Sequence, residues 1–412
     1  MINNDSKQMR MSNWMWVKLA EAVDVFDNLR KPINSSERQK RIASKKEKEL
    51  FPYYGATGQV GWIDDFLTNG EYILVGEDGA PFLDSFKQKA YKIKGKTWVN
   101  NHAHILSGKE GVSSNDFVLH YLNSINYREY VNGTTRLKLT KSSLVDIPFP
   151  LPSLEVQHAI VSKIEELLSE LDKGKQQLET ALQQLKIYRQ AVLKWAFEGR
   201  LTNKSVKDGE LPEGWILKPF NELGTWRGGG TPTKSRRDFW ENGNIMWVSP
   251  KDMKSQVIHE TIDKITFDAI ENSSTKLIPK GSVLFVVRSG ILRRTLPIAL
   301  TLSEVTVNQD LQAYTPDALL PEYVYWYAAA KNDDIRKNCS KDGTTVESIE
   351  STALKSYLIP VCSFKDQQLI VQEIESRLSV CDKVEETITT SLAQAETLRQ
   401  SILKKAFEGR LI

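Results

Sequence analysis

Two stretches, one near the middle of the chain and one at its end, carry apolar residues in steps of three and four. In the first, Ile160, Ile164, Leu167, Leu171, Leu178, Ala181, Leu185, Tyr188 and Val192 keep this rhythm, with Gly174 filling one slot. In the second, Ile370, Ile374, Cys381, Val384, Ile388, Ala395, Leu398 and Ile402 keep it, with Arg377 and Ser391 as weak points. A seam of that period over several heptads predicts long helices packed at a shallow angle. Ser153 and Ser363 are placed to cap their N-termini, and Gly199 and Gly409 stand where a left-handed C-terminal residue is expected. At ~1.5 Å per residue, a helix from Ser153 to Glu198 spans roughly 65–70 Å. Elsewhere the pattern shortens. Tyr72–Val75, Ala90–Ile93, Trp98–Val99 and Val283–Val287 are β-branched and aromatic, with glycine punctuation, and predict strands. Phe117–Ile125 and Glu322–Ala330 predict amphipathic helices. No βαβ alternation links these pieces, so the predicted fold class is α+β.

The seams belong to an internal repeat. Displaced by 210 residues, Pro150 falls on Pro360, Gln157 on Gln367 and Ile160-Val161 on Ile370-Val371, without a gap. The match closes with Ala196-Phe-Glu-Gly-Arg-Leu201 on Ala406-Phe-Glu-Gly-Arg-Leu411, and it reaches back to Gly133-Thr134-Thr135 on Gly343-Thr344-Thr345. Upstream the halves diverge, although Trp16-Val17 and Trp215-Ile216 look like equivalent starts. The expected layout is a variable domain over 1–150, a helical spacer over 151–205, a second variable domain over 206–358 and a second spacer over 359–412. Each seam would cover its own domain, another copy of the chain, or the other seam. Two seams of equal length favour the last arrangement, run antiparallel, with the two variable domains held apart as by a ruler.

Composition narrows the class. The 412 residues are 40% apolar and 26% charged, ordinary for a globular protein of several domains. No run approaches the ~18 apolar residues of a membrane span, and Met1–Arg10 lacks the apolar core of a signal peptide. Three cysteines without close spacing exclude a disulfide framework, so a cytoplasmic location is expected. With 55 basic against 52 acidic residues, nucleic-acid binding would depend on local clusters. One is Trp226-Arg-Gly-Gly-Gly-Thr-Pro-Thr-Lys-Ser-Arg-Arg-Asp-Phe-Trp240, read as a flexible glycine run among cations and aromatics; others are Arg30-Lys31 and Arg38–Lys48. Catalytic signatures fail on inspection. Gly95-Lys96-Thr97 lacks the upstream glycine of a phosphate loop and reads as a turn. His102 and His104 have no third metal ligand at helical spacing and read as alternate strand residues. Glu77 and Asp78 suggest a nuclease cluster with Asp84 and Lys87, but the second half has Arg288-Ser289 at the matching position. Neither an Asn/Asp-Pro-Pro-aromatic motif nor a glycine-rich S-adenosylmethionine loop is present.

The repeated layout, the twin Ala-Phe-Glu-Gly-Arg-Leu ends and several short motifs together resemble specificity subunits of type I restriction–modification systems. The motifs are Pro52-Tyr-Tyr-Gly-Ala-Thr-Gly58, Leu74-Val-Gly-Glu-Asp-Gly79, Trp98-Val-Asn-Asn-His-Ala-His104, Gly228-Gly-Gly-Thr-Pro232 and Val307-Asn-Gln-Asp-Leu311. The resemblance implies a non-catalytic subunit whose two target recognition domains read the halves of a bipartite sequence in double-stranded DNA. It also implies docking of two methyltransferase (modification) subunits and two restriction/translocase subunits. S-adenosylmethionine, ATP and magnesium would sit on those partners, with no cofactor or metal on this chain. Candidate DNA-binding residues are Tyr54, Thr57, Glu77, Asp78, Asn101, His102 and His104 in the first domain. In the second they are Thr231, Lys234, Arg236, Arg237, Ser249, Lys251, Arg288, Arg293, Arg294, Gln309 and Asp310. Asn and Gln pair with adenine, Arg with guanine, and carboxylates accept from cytosine. The twin Gly-Thr-Thr segments would hold a loop or a phosphate. The competing classes are a self-contained methyltransferase or nuclease with an unrecognised site, and a coiled-coil assembly protein without DNA affinity.

Overall fold

The structure is a computed structural model describing residues 14–203, 205–207, 209–341 and 347–412. Gly343-Thr344-Thr345 and Met1–Arg10 therefore lie outside the described residues. The chain divides into two compact units, one formed by 1–180 with 387–412 and the other by 181–386.

In the first unit a six-stranded sheet has the order 23–25, 103–108, 68–76, 90–99, 51–55, 58–63. The strand 90–99 is continuous where the sequence suggested two pieces. Gly95 sits inside it opposite Gly70 with φ near +80°, so Gly95-Lys96-Thr97 is a kinked strand and not a turn. In the second unit, strands 224–228, 311–316, 283–286, 298–301 and 257–258 form one sheet in that order. Strands 263–265, 245–248, 305–307 and 277–278 form another. The expected amphipathic helices are observed at Asn115–Ser124 and Pro321–Ala330. Both units are α+β.

The long helices run from Leu154 to Phe197 and from Phe364 to Phe407. Ser153 Oγ accepts from Val156 N at 3.5 Å and Ser363 Oγ from Asp366 N at 3.2 Å, the expected caps. Gly199 and Gly409 take positive φ, as the C-terminal position requires. Within each unit the two helices run antiparallel. In the first, Asp172 pairs with Arg399 and Lys175 with Glu396. In the second, Arg189 pairs with Asp382 at 2.7 Å and Glu385 at 2.9 Å, and Arg377 donates to the Tyr188 hydroxyl at 3.3 Å. Seam positions are buried in both units, among them Ile160, Ile164, Val192, Ile370, Ile374, Cys381, Ile388 and Ala395, whereas Val384 and Leu398 keep 41% and 50% of their surface. Beside Gly174 the first unit has a groove of about 710 Å³, lined by Leu171, Leu178, Ser391, Ala395 and Leu398.

The repeat acquires a physical meaning at the helix ends. Gln157 is fully buried, and its Nε2 donates to the carbonyls of Pro152 and Val112 while its Oε1 accepts from Ser114 N at 3.0 Å. Gln367 repeats this with Cys362 O at 3.0 Å and Leu320 N at 2.8 Å. Ser114 and Leu320 are the N-caps of the helices 115–124 and 321–330, so each amide ties the start of a long helix to its neighbouring domain. The ends of the long helices dock crosswise. Phe407 stacks edge-on against Phe117 and Tyr121, with centroids 5.2 Å away, in the first unit. Phe197 does so against Tyr323 at 5.2 Å and Tyr327 at 5.1 Å in the second. Each domain thus holds the beginning of one long helix and the end of the other. That shared seat explains why the Ala-Phe-Glu-Gly-Arg-Leu ends are alike.

A short ladder closes each domain, pairing Trp16 with Pro150 in one and Leu217 with Pro360 in the other. Trp215 therefore corresponds to Trp14, and not to Trp16 as the sequence suggested. The slip is two residues, which keeps a side chain on the same face of a strand.

Gln157→Ala strands the amide of Ser114 and two carbonyls in the core. It should cost about 2–3 kcal/mol in denaturant unfolding of the full chain. Gly174→Ala should instead stabilise by roughly 0.5–1 kcal/mol, because a Cβ there meets nothing within 4 Å and helix propensity improves. An unchanged Gln157→Ala variant would contradict the clamp.

Candidate nucleic-acid interface

In each unit several strand and turn ends converge at one place. In the first, Asn100 N donates to Tyr54 O at 3.0 Å and Lys31 N to Val99 O at 3.1 Å. Glu77 N donates to His102 O, and Leu139 N to Glu77 O, each at 2.7 Å. The second unit repeats this lattice. Asn308 N donates to Val248 O at 2.9 Å and Gly230 N to Val307 O at 3.0 Å. Val287 N donates to Asp310 O, and Ile349 N to Val287 O, each at 2.8 Å. Asn100 Oδ1 accepts from His102 N and Asn308 Oδ1 from Asp310 N, so the same side-chain turn presents Asn101 and Gln309 at its tip. Matched through these bonds, Arg288 corresponds to Asp78 and Val287 to Glu77, one residue away from the sequence alignment.

Side-chain placement divides the first domain's candidates. Thr57 lies exposed in the turn between strands 51–55 and 58–63, and Asn101 is exposed. Tyr54 is half-buried, its ring 5.9 Å from that of Tyr91, and burial pushes its hydroxyl pKa up. Asp78 Oδ1 lies 2.7 Å from His102 Nδ1 and accepts from Arg136 at 2.6 Å, so it holds two outward-facing groups in place. Arg136 is a surface group the sequence reading did not single out. The signal was its position one residue beyond the repeated Gly133-Thr134-Thr135.

Two candidates, and Arg30 of the Arg30-Lys31 pair, are corrected; Lys31 is exposed. His104 is 1% exposed, with Nδ1 against Asp27 at 2.7 Å and Nε2 against the Leu139 carbonyl at 2.9 Å, so it is an interior residue. Glu77 is taken by Arg30 and by Lys138 at 3.0 Å. Arg30 in turn binds Asp27 at 3.0 Å and the Ala103 carbonyl at 3.1 Å, so it belongs to this cluster and not to a DNA-facing surface. Burial works to raise the Asp27 pKa, but His104 and Arg30 outweigh it and hold the carboxyl below its usual value. Glu77 is lowered in the same way, burial opposed by Arg30, Lys138 and His104. The sequence could not show this because Asp27 and Arg30, Glu77, His104 and Lys138 come from four separate segments.

In the second domain Thr231 donates to Gln309 Oε1 at 2.5 Å, and Arg288 Nε donates to Asp310 at 2.6 Å. Ser249 closes a turn instead, its N and Oγ both bonded to Asp252. Two of the three glycines in the run are packed, while Gly228 faces open space. A Cβ on Gly229 would lie 1.8 Å from Val307 O, and one on Gly230 would lie 2.5 Å from Ser274 Oγ. Lys234 sits over Trp240 and Trp247, at 5.3 and 5.7 Å. Arg236 is paired with Asp238 and lies over Phe239. Arg237 extends into solvent with Glu241 at 3.8 Å, and Arg293 pairs with Glu347 at 3.2 Å. The side chains of Lys251 and Arg294 are exposed, with no polar partner among the described residues. Thr231, Gln309, Arg288 and Asp310 are thus gathered by the lattice, while Lys234, Arg236 and Arg237 follow on the adjoining loop.

The depressed Asp27 carboxyl stabilises the fold above about pH 4, and that contribution is lost as pH falls through its lowered value. Asp27→Asn should therefore be less stable than the parent at pH 7, by about 2 kcal/mol, yet lose less on acidification to pH 3. Denaturant unfolding at the two pH values checks this; equal acid losses would contradict it.

Comparison with known proteins agrees with the architecture. The family model described as "Type I restriction modification DNA specificity domain" matches residues 11–181 and 212–394. The EcoR124I/EcoR124II specificity subunit of Escherichia coli is 32% identical over 84% of this chain and 78% of its own length. A putative type I specificity subunit of Haemophilus influenzae is 27% identical over 98% of this chain and 95% of its own. The HsdS subunit from Thermoanaerobacter tengcongensis shares the fold, with a TM-score of 0.62 at 17% identity over 97% of this chain and 98% of that one. A chain from a solved structure of the type I R-M system gives 0.68 at 17% identity, over 96% and 98%. The chain belongs to the family of type I restriction–modification DNA specificity subunits.

Proposed function

We propose that this specificity subunit binds a bipartite target in double-stranded DNA, each α+β domain reading one half-site from its convergent strand ends. The observation that carries the reading is the repeated backbone lattice with different side chains at its matched positions, Asn101, His102 and Asp78 in one unit and Gln309, Asp310 and Arg288 in the other. Two unlike half-sites call for that combination of constant frame and variable readers. The exposed Arg237 and its loop supply phosphate contacts that fix register without carrying sequence information.

In this reading the subunit is a scaffold without its own catalysis. The carboxylates that might have served a nuclease, Glu77 and Asp78, are bound to Arg30, Lys138, His102 and Arg136. Two modification subunits dock on the chain and two restriction subunits join them. S-adenosylmethionine, ATP and magnesium act on those partners, and the assembly works in the cytoplasm. The partly exposed apolar residues along the long helices, Val384 and Leu398 among them, suit a surface that partners cover. The paired helices set the gap between half-sites. Among the described residues no helix is long and apolar enough to cross a membrane.

Methylome sequencing of cells with and without this chain should show a two-part methylated motif that disappears with it. The purified chain, given duplex DNA, Mg²⁺ and S-adenosylmethionine, should neither cut nor methylate. A motif that persists without the chain, or methylation by the chain alone, would contradict the proposal.

A further inference from the structure

We infer that Arg288, braced by Asp310, reads the major-groove edge of a guanine in the half-site of the second unit, and that the matching pair Asp78–His102 gives the first unit a different base preference. The inference rests on the function proposed above and names the reader within it.

The two pairs occupy the same positions of one backbone lattice. His102 O receives Glu77 N just as Asp310 O receives Val287 N. The following residues, Asp78 and Arg288, form matching bridges to Lys138 and Ser348. On this shared frame the polarity is reversed. In the first unit the acid is on the 76–78 side and meets an imidazole, Asp78 Oδ1 to His102 Nδ1 at 2.7 Å. In the second the cation is on that side and meets an acid, Arg288 Nε to Asp310 Oδ1 at 2.6 Å. Bracing the strand ends needs only a complementary pair, and either polarity satisfies it. The reversal changes which group faces solvent, and that is the property a base reader must vary.

The second unit's pair has the valences for one base. Arg288 commits its Nε to Asp310, while Nη1 and Nη2 have no partner among the described residues, and the side chain is 54% exposed. Two parallel donors match O6 and N7 of guanine. Asp310 is itself fixed, with Oδ2 accepting from Asn308 Nδ2 at 3.2 Å and its backbone N donating to Asn308 Oδ1 at 3.0 Å. The fork is therefore oriented before DNA arrives, which lowers the ordering cost of binding. In the first unit the acid is the inner group and braces two outward groups. His102 keeps only Nε2 free of Asp78, and Arg136 spends an Nη on Asp78, so the groups offered to a base differ from those of the second unit.

The test uses the chain assembled with its two modification subunits and a randomised duplex library, sequencing the bound fraction. The parent complex should enrich a two-part motif with guanine at a fixed position of one half-site. Arg288→Ala should lose that guanine preference by roughly tenfold or more and leave every other position unchanged. Arg288→Lys, which keeps the charge but not the fork, should lose most of it too. Two results would overturn the inference: both variants keeping the full motif, or Arg288→Ala weakening all sequences equally with the salt slope reduced by about one, the mark of a phosphate contact. If the parent complex enriched no motif, the proposed function itself would fall, and the inference with it.

Discussion

The structure depends on a crosswise seat repeated in two domains. A buried glutamine ties the start of one long helix to the cap of a domain helix, and a phenylalanine from the end of the other long helix fills the aromatic pocket beside it. The two contacts do different jobs. The amides of Gln157 and Gln367 saturate groups that would otherwise be stranded in the core, and Phe407 and Phe197 supply the apolar area that keeps water out. The antiparallel course of the helices within each unit follows from this, because a domain that holds a start and an end admits no parallel pair. In the first unit, Gly174, Ser391 and Leu398 leave the helix pair partly open beside its seat.

With the seat constant, the convergent turns of each domain are free to vary. There the lattice of backbone bonds around Asn100 and Asn308 holds the turns in one geometry, and the side chains at its positions differ. Under the proposed function that division has a purpose, since a protein that selects targets needs readers that change without unfolding the frame. It also accounts for the ionic cluster of Asp27, Arg30, Glu77, His104 and Lys138 in the first unit. Val287 replaces Glu77 in the second unit, so the cluster is one domain's way of supporting its turns and not part of the common plan.

The sequence made the tails legible and the domains only partly so. The tails keep a gapless displacement of 210 residues because both copies must fit the same glutamine clamp and phenylalanine pocket, which are made of side chains. The domain cores are matched by backbone bonds, which place little demand on residue type, so Tyr54 and Val248 occupy equivalent positions without resemblance. For the same reason the pairing of Trp16 with Trp215 was two residues out. Periodicity predicted the helices near 115–124 and 321–330 but merged neither the strand 90–99 nor the partners of Glu77. His104 looked like a strand-edge reader because its fate is set by Asp27, 77 residues away. The glycine run looked flexible because sequence shows the missing side chain and not the carbonyl of Val307 that fills its place.

The crosswise seat is tested most directly by hydrogen–deuterium exchange on the full chain carrying Phe407→Ala. Loss of that ring should speed exchange in the helix 115–124 and around Ile160 and leave 321–330 at the parent rate. Faster exchange in 321–330, with 115–124 unchanged, would contradict the account.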